Sequence, residues 1–470
     1  MTKADRDYRA FLAKKAVIAV PTGIEAPRAI DERLFPFQRD IVRWALRRGR
    51  AAIFADTGLG KTAMQLEWAR HIREHTGGDV LILTPLAVAA QTVREGQKFG
   101  IEVTHCKLAG DIRPGINVIN YDRMHLVDPS SFAGVVIDES SCLKDYTSAT
   151  RNELIGAFCK TPFRLACTAT PAPNDFTELG NHSEFLGIMR RVEMLSMWFV
   201  HDGGSTKDWR VKGHAEKDFW QWVCSWAAVI RKPSDLEYED GAFELPPLEM
   251  LPHVIPSDIG VAHAMGKLFV EQAQTLEDQR AARRVSLPGR VAECAKIVNA
   301  AVGPFLVWCE LNTESSELAR AIPDAVEVSG ADSSEEKERK MIDFSEGRVR
   351  VMISKPKIAG KGLNWQHCSN IAFVGVSHSF EQFYQAVRRC WRFGQTRPVR
   401  CHIITSEIEG AVTANLRRKE AAAKKMSEEM SAKTASIVRG TIHEARREQT
   451  LYQTKREMTV PSWVESETMI

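Results

Sequence analysis

The chain has 470 residues, 44% of them hydrophobic and 26% charged. At about 150 residues per domain this is two to three domains' worth, and the composition excludes a disordered or fibrous chain. The 63 Lys and Arg against 60 Asp and Glu leave a formal charge of +3, which excludes a uniformly basic nucleic-acid coat but not a local basic groove.

Strand-like apolar runs alternate with helical spacing along most of the chain, which predicts α/β lobes with parallel sheets. Gln38–Arg47 reads as a helix, Ala51–Ala55 as a strand, Thr62–His75 as a helix, Val80–Leu83 as a strand and Val88–Phe99 as a helix. Strands follow at Val118–Ile119, Val135–Ile137 and Arg164–Thr168. Phe176–Pro256 breaks the rhythm and carries five of the 11 tryptophans, at 198, 209, 220, 222 and 226, then the proline-containing stretch ELPPLEMLPHVIP. Trp222 and Trp226 stand at i, i+4, so a helical subdomain packing its aromatics is expected there. A second strand series runs through Phe305–Trp308, Ala325–Val328, Val349–Ser354, Ile371–Val374 and Arg400–Ile404. Residues 409–470 hold 11 Lys and Arg against 9 Asp and Glu, which predicts a solvated helical tail.

The expected plan is an N-terminal extension (1–30), a first lobe (31–180) and a helical Trp-rich insertion and linker (181–250). A second lobe (251–408) and a charged helical tail (409–470) complete it. The ten cysteines, at 106, 142, 159, 167, 224, 294, 309, 368, 390 and 401, include no C-x-x-C pair. That argues against structural zinc and for buried thiols in a reducing compartment. Ala16–Val20 is too short for a signal core, and no run of about 20 apolar residues appears.

Ala55-Asp56-Thr57-Gly58-Leu59-Gly60-Lys61-Thr62 lies between a strand and a helix, the context a phosphate-binding loop requires. Gly58 and Gly60 allow backbone N–H groups of Thr57, Gly58, Leu59 and Gly60 to turn around an anion. Lys61 supplies a point charge for the β- and γ-phosphates of ATP, and the Thr62 hydroxyl is a ligand for Mg2+. Ala55 stands where the strict pattern has Gly. Asp138-Glu139 ends a later strand. Asp138 is expected to hold Mg2+, and Glu139 to orient and deprotonate the attacking water.

The order of motifs from about Leu34 to Arg400 resembles superfamily 2 nucleic-acid-dependent ATPases. It is most similar to the Swi/Snf-type DNA translocases, in a compact form like those of bacteriophages. The resemblance implies two tandem RecA-like lobes. Leu34-Phe35-Pro36-Phe37-Gln38 looks like the family's glutamine motif, with Gln38 reading adenine. Thr84-Pro85 and Asn120-Tyr121 resemble loops that touch nucleic acid. Asp138-Glu139-Ser140-Ser141 replaces the usual Asp-Glu-Ala-His, without the His that in the resembled family links ATP state to DNA contacts. Lys144 and Ser148 are in family-like places. Thr168-Ala169-Thr170-Pro171 resembles the coupling motif, through Thr168 and Thr170.

In the second half, Ser354 and Gly360-Lys361-Gly362 resemble a Gly-rich motif. Its Ser354, Gly360 and Lys361 would meet nucleic acid, and Gly362 nucleotide. Gln385-Ala386-Val387-Arg388-Arg389-Cys390-Trp391-Arg392-Phe393-Gly394-Gln395 has every fixed position of the family's Gln-Ala-x-x-Arg-x-x-Arg-x-Gly-Gln. Arg389 and Arg392 share a face at helical spacing, as an arginine finger on the γ-phosphate. Residues 388–400 hold five Arg and no acid. The resemblance implies an ATP- and Mg2+-using motor on DNA, duplex favoured, in bacterial or infected-cell cytoplasm. Two alternatives stay open: a strand-separating helicase, and an ATP-switched recruitment protein meeting protein partners through the Trp-rich insertion or tail.

Overall fold

A computed structural model describes residues 18–25, 27–85, 88–201, 209–256, 283–360, 364–375, 379–407 and 410–447. Expected site residues Lys361 and Gly362 lie outside them. The first lobe is a seven-stranded parallel sheet in the order β3-β4-β2-β5-β6-β1-β9. Its strands are β1 (Arg50–Ala55), β2 (Asp79–Thr84), β3 (Val103–His105), β4 (Ile116–Asn120), β5 (Phe132–Asp138), β6 (Phe163–Thr168) and β9 (Ala227–Ile230). The short antiparallel pair β7 (Phe199–His201) and β8 (Trp209–Val211) stands apart.

The second lobe is a six-stranded parallel sheet, β10-β15-β14-β11-β13-β12. Its strands are β10 (Leu248–Ile255), β11 (Phe305–Cys309), β12 (Ala325–Val328), β13 (Val351–Ser354), β14 (Asn370–Val374) and β15 (Val399–Ser406). Central strands such as β1, β2 and β11 are apolar almost throughout because helices cover both faces of each sheet. The expected α/β architecture of two tandem lobes is therefore present.

Three boundaries differ from the sequence reading. The Trp-rich stretch is helical at Arg191–Trp198 and Glu216–Cys224, but it also supplies β9, the edge strand beside β1. Trp198, Trp222 and Trp226 are buried in the first lobe's core with Phe219 and Phe185. They complete that lobe rather than form a separate subdomain. β10 arises from the proline-containing stretch, and pairs with β15 over its full length, Pro252 opposite Ile403. Pro is tolerated because β10 is an edge strand, where one face of the ladder needs no donor.

The tail is not a solvated arm. Its helix, Gly410–Arg447, leaves the second lobe after β15 and packs back on the first, against the helix Pro36–Arg48 and β9. Met430, Val438 and Ile442 are buried there. Among the described residues no helix is long and apolar enough to cross a membrane.

Candidate ATP site between the lobes

Chemistry-bearing residues gather at the C-terminal ends of the parallel strands, where such sheets open to ligands. The loop after β1 carries Gly58 and Gly60, both with positive φ (95° and 79°), and the helix Lys61–Thr76 starts immediately after it. A Cβ on Gly60 would lie 2.3 Å from Gln38 Nε2, and one on Gly58 would lie 3.0 Å from the Phe393 backbone nitrogen. Both glycines therefore permit close approaches, one to the glutamine motif and one to the opposite lobe. Lys61 Nζ donates to the Ala55 carbonyl at 2.9 Å and the Asp56 carbonyl at 3.4 Å, inside the loop. Thr62 is half-buried in the first helical turn, and Thr57 has a buried hydroxyl with no partner.

Gln38 is buried. Its amide donates to the Leu59 carbonyl at 2.9 Å and accepts from the Phe35 backbone N–H at 3.0 Å. It thus fastens its helix to the phosphate loop, a role the sequence reading had not included.

Asp138 ends β5 and is buried. Gln65, from the helix after the loop, donates to its Oδ1 at 2.7 Å. Burial, then the neighbouring Glu139 charge, pushes the Asp138 carboxyl up to about 6, while Gln65 and Lys61 pull it down. Glu139 adopts a left-handed backbone (φ 55°, ψ 52°), and its Oε2 is buried without a partner. A non-glycine residue in that region is uncommon and costs strain, as functional sites often do.

Gln65 and His182 carry no local signal in the sequence. His182 lies on the helix Leu179–Leu186, and its Nε2 shares a 3.1 Å hydrogen bond with Ser140 Oγ. Burial holds its imidazole down at about 4, against the Glu178 and Ser140 backbone groups that favour the charged form. Neither residue belongs to a motif; only folding brings Gln65 to Asp138 and His182 to Ser140.

The second lobe contributes Phe380–Val387 and the arginines that follow. Arg388 pairs with Asp56 at 2.5 Å, and Tyr384 donates its hydroxyl to Asp56 Oδ1 at 2.7 Å. Burial opposes ionisation of Asp56, but Arg388 and Tyr384 outweigh it and lower its pKa. Lys144 and Glu381 make a second ion pair across the lobes. Arg389 is buried and donates to Gln385 Oε1 at 3.2 Å and the Gln385 carbonyl at 3.1 Å. Burial lowers its pKa, while Glu139 and Asp138 favour its charge.

The Arg392 side chain has no hydrogen-bond or ion-pair partner among the described residues. Burial, then Arg389 and Arg388, pushes its guanidinium down to about 9, with Glu139 opposing. An arginine stays protonated in proteins, and the neighbouring Arg389 and Arg388 charges make a local positive potential that favours an anion. Gln395 ties the arginine segment down through the Cys368 carbonyl at 3.0 Å and the Cys390 carbonyl at 3.2 Å.

Thr168 is buried, and its hydroxyl accepts from the Thr170 N–H at 3.1 Å; the Thr170 hydroxyl is unpartnered. The expected nucleic-acid residues are turned inward to a degree the sequence did not show. Tyr121 donates its hydroxyl to the Asp138 carbonyl. Ser354 donates to the Val328 carbonyl at 2.9 Å and is buried. Thr84 and Asn120 are buried, Pro85 is half-buried, and Gly360 caps a short helical turn. In both Ser354 and Tyr121 the hydroxyl is taken up by a backbone carbonyl. The hard oxygens of Asp138, Glu139 and Thr62 suit Mg2+.

Residues 290–394 match the helicase conserved C-terminal domain. That match runs from Arg290 through the arginine segment of the second lobe. The chain is 23% identical over 441 residues to protein p41 of Acyrthosiphon pisum secondary endosymbiont phage 1, covering 79% of this chain and 92% of that protein. It is 23% identical over 442 residues to the DNA annealing helicase and endonuclease ZRANB3 of Mus musculus, and 22% over 425 residues to that of Bos taurus. Those alignments cover 84% and 80% of this chain, but only 40% and 39% of the mammalian proteins. Against the Sulfolobus solfataricus SWI2/SNF2 ATPase core in complex with dsDNA, the identity is 16% and the TM-score 0.40, over 90% of this chain and 98% of that one.

Proposed function

We propose that this chain is an ATP-dependent DNA translocase that hydrolyses ATP to ADP and phosphate while moving on duplex DNA. The observation that carries the reading is the meeting across the lobe boundary. The Arg388–Phe393 segment lies against the phosphate loop and shares its electrostatic surroundings with the Asp138–Glu139 pair.

Lys61 and the loop N–H groups bind the phosphates, and Gln38 holds the loop against its own helix. Glu139, with one carboxylate oxygen uncommitted, orients the attacking water and takes its proton. Mg2+ held by Asp138 and Thr62 would supply charge neutralisation on the phosphates. Arg392, backed by Arg389, stabilises the charge that develops in transfer. Closing and opening of the lobes around nucleotide alternates their grip on a track, and backbone contact makes binding salt-dependent and largely sequence-blind. The DNA named for the mammalian relative supports the choice of track.

ATPase rate against duplex DNA, single-stranded DNA and RNA, followed by triplex displacement, tests the reading. Duplex DNA should stimulate hydrolysis and the triplex strand should be displaced. Stimulation by RNA or single strands alone overturns the duplex assignment, and stimulation without displacement supports an ATP-switched recruiter instead.

A further inference from the structure

We propose that His182 is a positioning residue for ATP hydrolysis, locking the turn that aims Glu139 through its hydrogen bond to Ser140. The inference rests on the ATPase reading above and adds a residue that belongs to none of the motifs.

Glu139 and Glu237 are the two non-glycine residues with positive φ among those described. An unfavourable backbone persists only where its surroundings over-determine it. Downstream of Glu139, the short turn Ser140–Leu143 is fastened at both ends to the helix Leu179–Leu186. His182 Nε2 meets Ser140 Oγ at 3.1 Å, and Asn181 Nδ2 donates to the Lys144 carbonyl at 2.8 Å.

The imidazole has no room to leave. His182 is fully buried, and its ring stands edge-on to Phe54 with centroids 5.1 Å apart. Phe54 belongs to β1, the strand that feeds the phosphate loop. One side chain therefore touches both the strand that sets the phosphates and the turn that sets the base. Lys144, at the far end of the turn, pairs with Glu381 of the second lobe. The fastened turn thus lies between the water-activating carboxylate and an inter-lobe contact.

A buried histidine that merely fills space would be replaceable by an apolar side chain of similar size. A positioning histidine would not, because a small displacement of a reacting group costs large factors in rate.

The test compares His182→Leu, His182→Gln and Ser140→Ala with wild type in duplex-stimulated ATPase assays, with ADP affinity and thermal unfolding measured alongside. His182→Leu and Ser140→Ala should each lower kcat about 10–100-fold, the range for partners that orient a catalytic group. KM for ATP and ADP affinity should stay within about twofold, and the double variant should be no worse than the poorer single one. His182→Gln, whose amide nitrogen reaches the same place, should recover most of kcat.

Unchanged kcat in Ser140→Ala overturns the proposal, even if His182→Leu fails to fold. It also falls if His182→Gln is as slow as His182→Leu, or if kcat loss tracks loss of ADP binding. Those results leave the ATPase reading standing. A wild type that hydrolyses no ATP with any nucleic acid removes that reading, and this proposal with it.

Discussion

Two residues carry most of the chemistry proposed here, and each makes its own prediction. Glu139→Gln keeps the size and turn but removes the base. ATP binding should be retained and turnover abolished, read by nucleotide titration against steady-state hydrolysis; a near-wild-type rate removes Glu139 from the base role. Of the two finger candidates the structure favours Arg392, because Arg389 is committed to Gln385 while the Arg392 side chain has no hydrogen-bond or ion-pair partner among the described residues. Arg392→Ala should lower kcat by about 10³-fold or more with little change in ATP affinity. Equal turnover of variant and wild type would sink the finger assignment. The residues of this centre were legible in sequence wherever a motif carries them: Gly58, Gly60, Lys61, Asp138, Glu139, Arg389 and Arg392. Gln65 and His182 were not, since Gln65 reaches Asp138 from 73 residues away along the chain and His182 reaches Ser140 from 42. Nothing local marks either one.

At the scale of elements, the strands and helices of each lobe read well where apolar runs are continuous, because both faces of a parallel sheet are covered. β9 and β10 escaped for opposite reasons. Four residues of β9 are hidden among tryptophans, and β10 contains Pro252, which normally argues against a strand. The short segment joining β6 to the helix Leu179–Leu186 makes a pH prediction. Glu178 is held by Asn174, with Nδ2 donating to Oε1 at 2.6 Å, yet burial pushes its carboxyl up to about 7. A folded pKa raised above the unfolded value means the folded state binds the proton more tightly. That contribution is fully present below about pH 4.5 and is lost as pH rises through about 7. Glu178→Gln should therefore gain stability relative to wild type between pH 5 and 8, by up to about 3 kcal/mol, measured by denaturant unfolding across that range. A pH-independent difference would show that Glu178 does not titrate there.

At the scale of the molecule, the tail is a strap. It is covalently part of the second lobe but adds apolar side chains to the core of the first. It also lines the roughly 590 Å³ cavity between the lobes through Glu420, Lys424, Met426 and Met430. Val438→Asp places an unpaired carboxylate in the first lobe's core and should cost at least about 2 kcal/mol, visible as a lower unfolding temperature. Glu237→Gln, which breaks the exposed Arg439 pair at 2.8 Å, should change stability by less than about 1 kcal/mol. If the two variants unfold alike, the tail is not docked through its apolar face.

The sequence by itself determined the alternation of strands and helices, the phosphate loop, the acidic pair and the arginine segment. Each is written in contiguous residues whose spacing, chirality and side-chain chemistry act locally. Tertiary structure decided which hydroxyls remain available, which histidine stands behind Glu139, and that the Trp-rich stretch and tail complete the first lobe. Those outcomes depend on burial and on contacts between distant segments, which no local pattern encodes. The +3 charge follows the same division: composition sets the total, and folding crowds three arginines around one anion-favouring cleft.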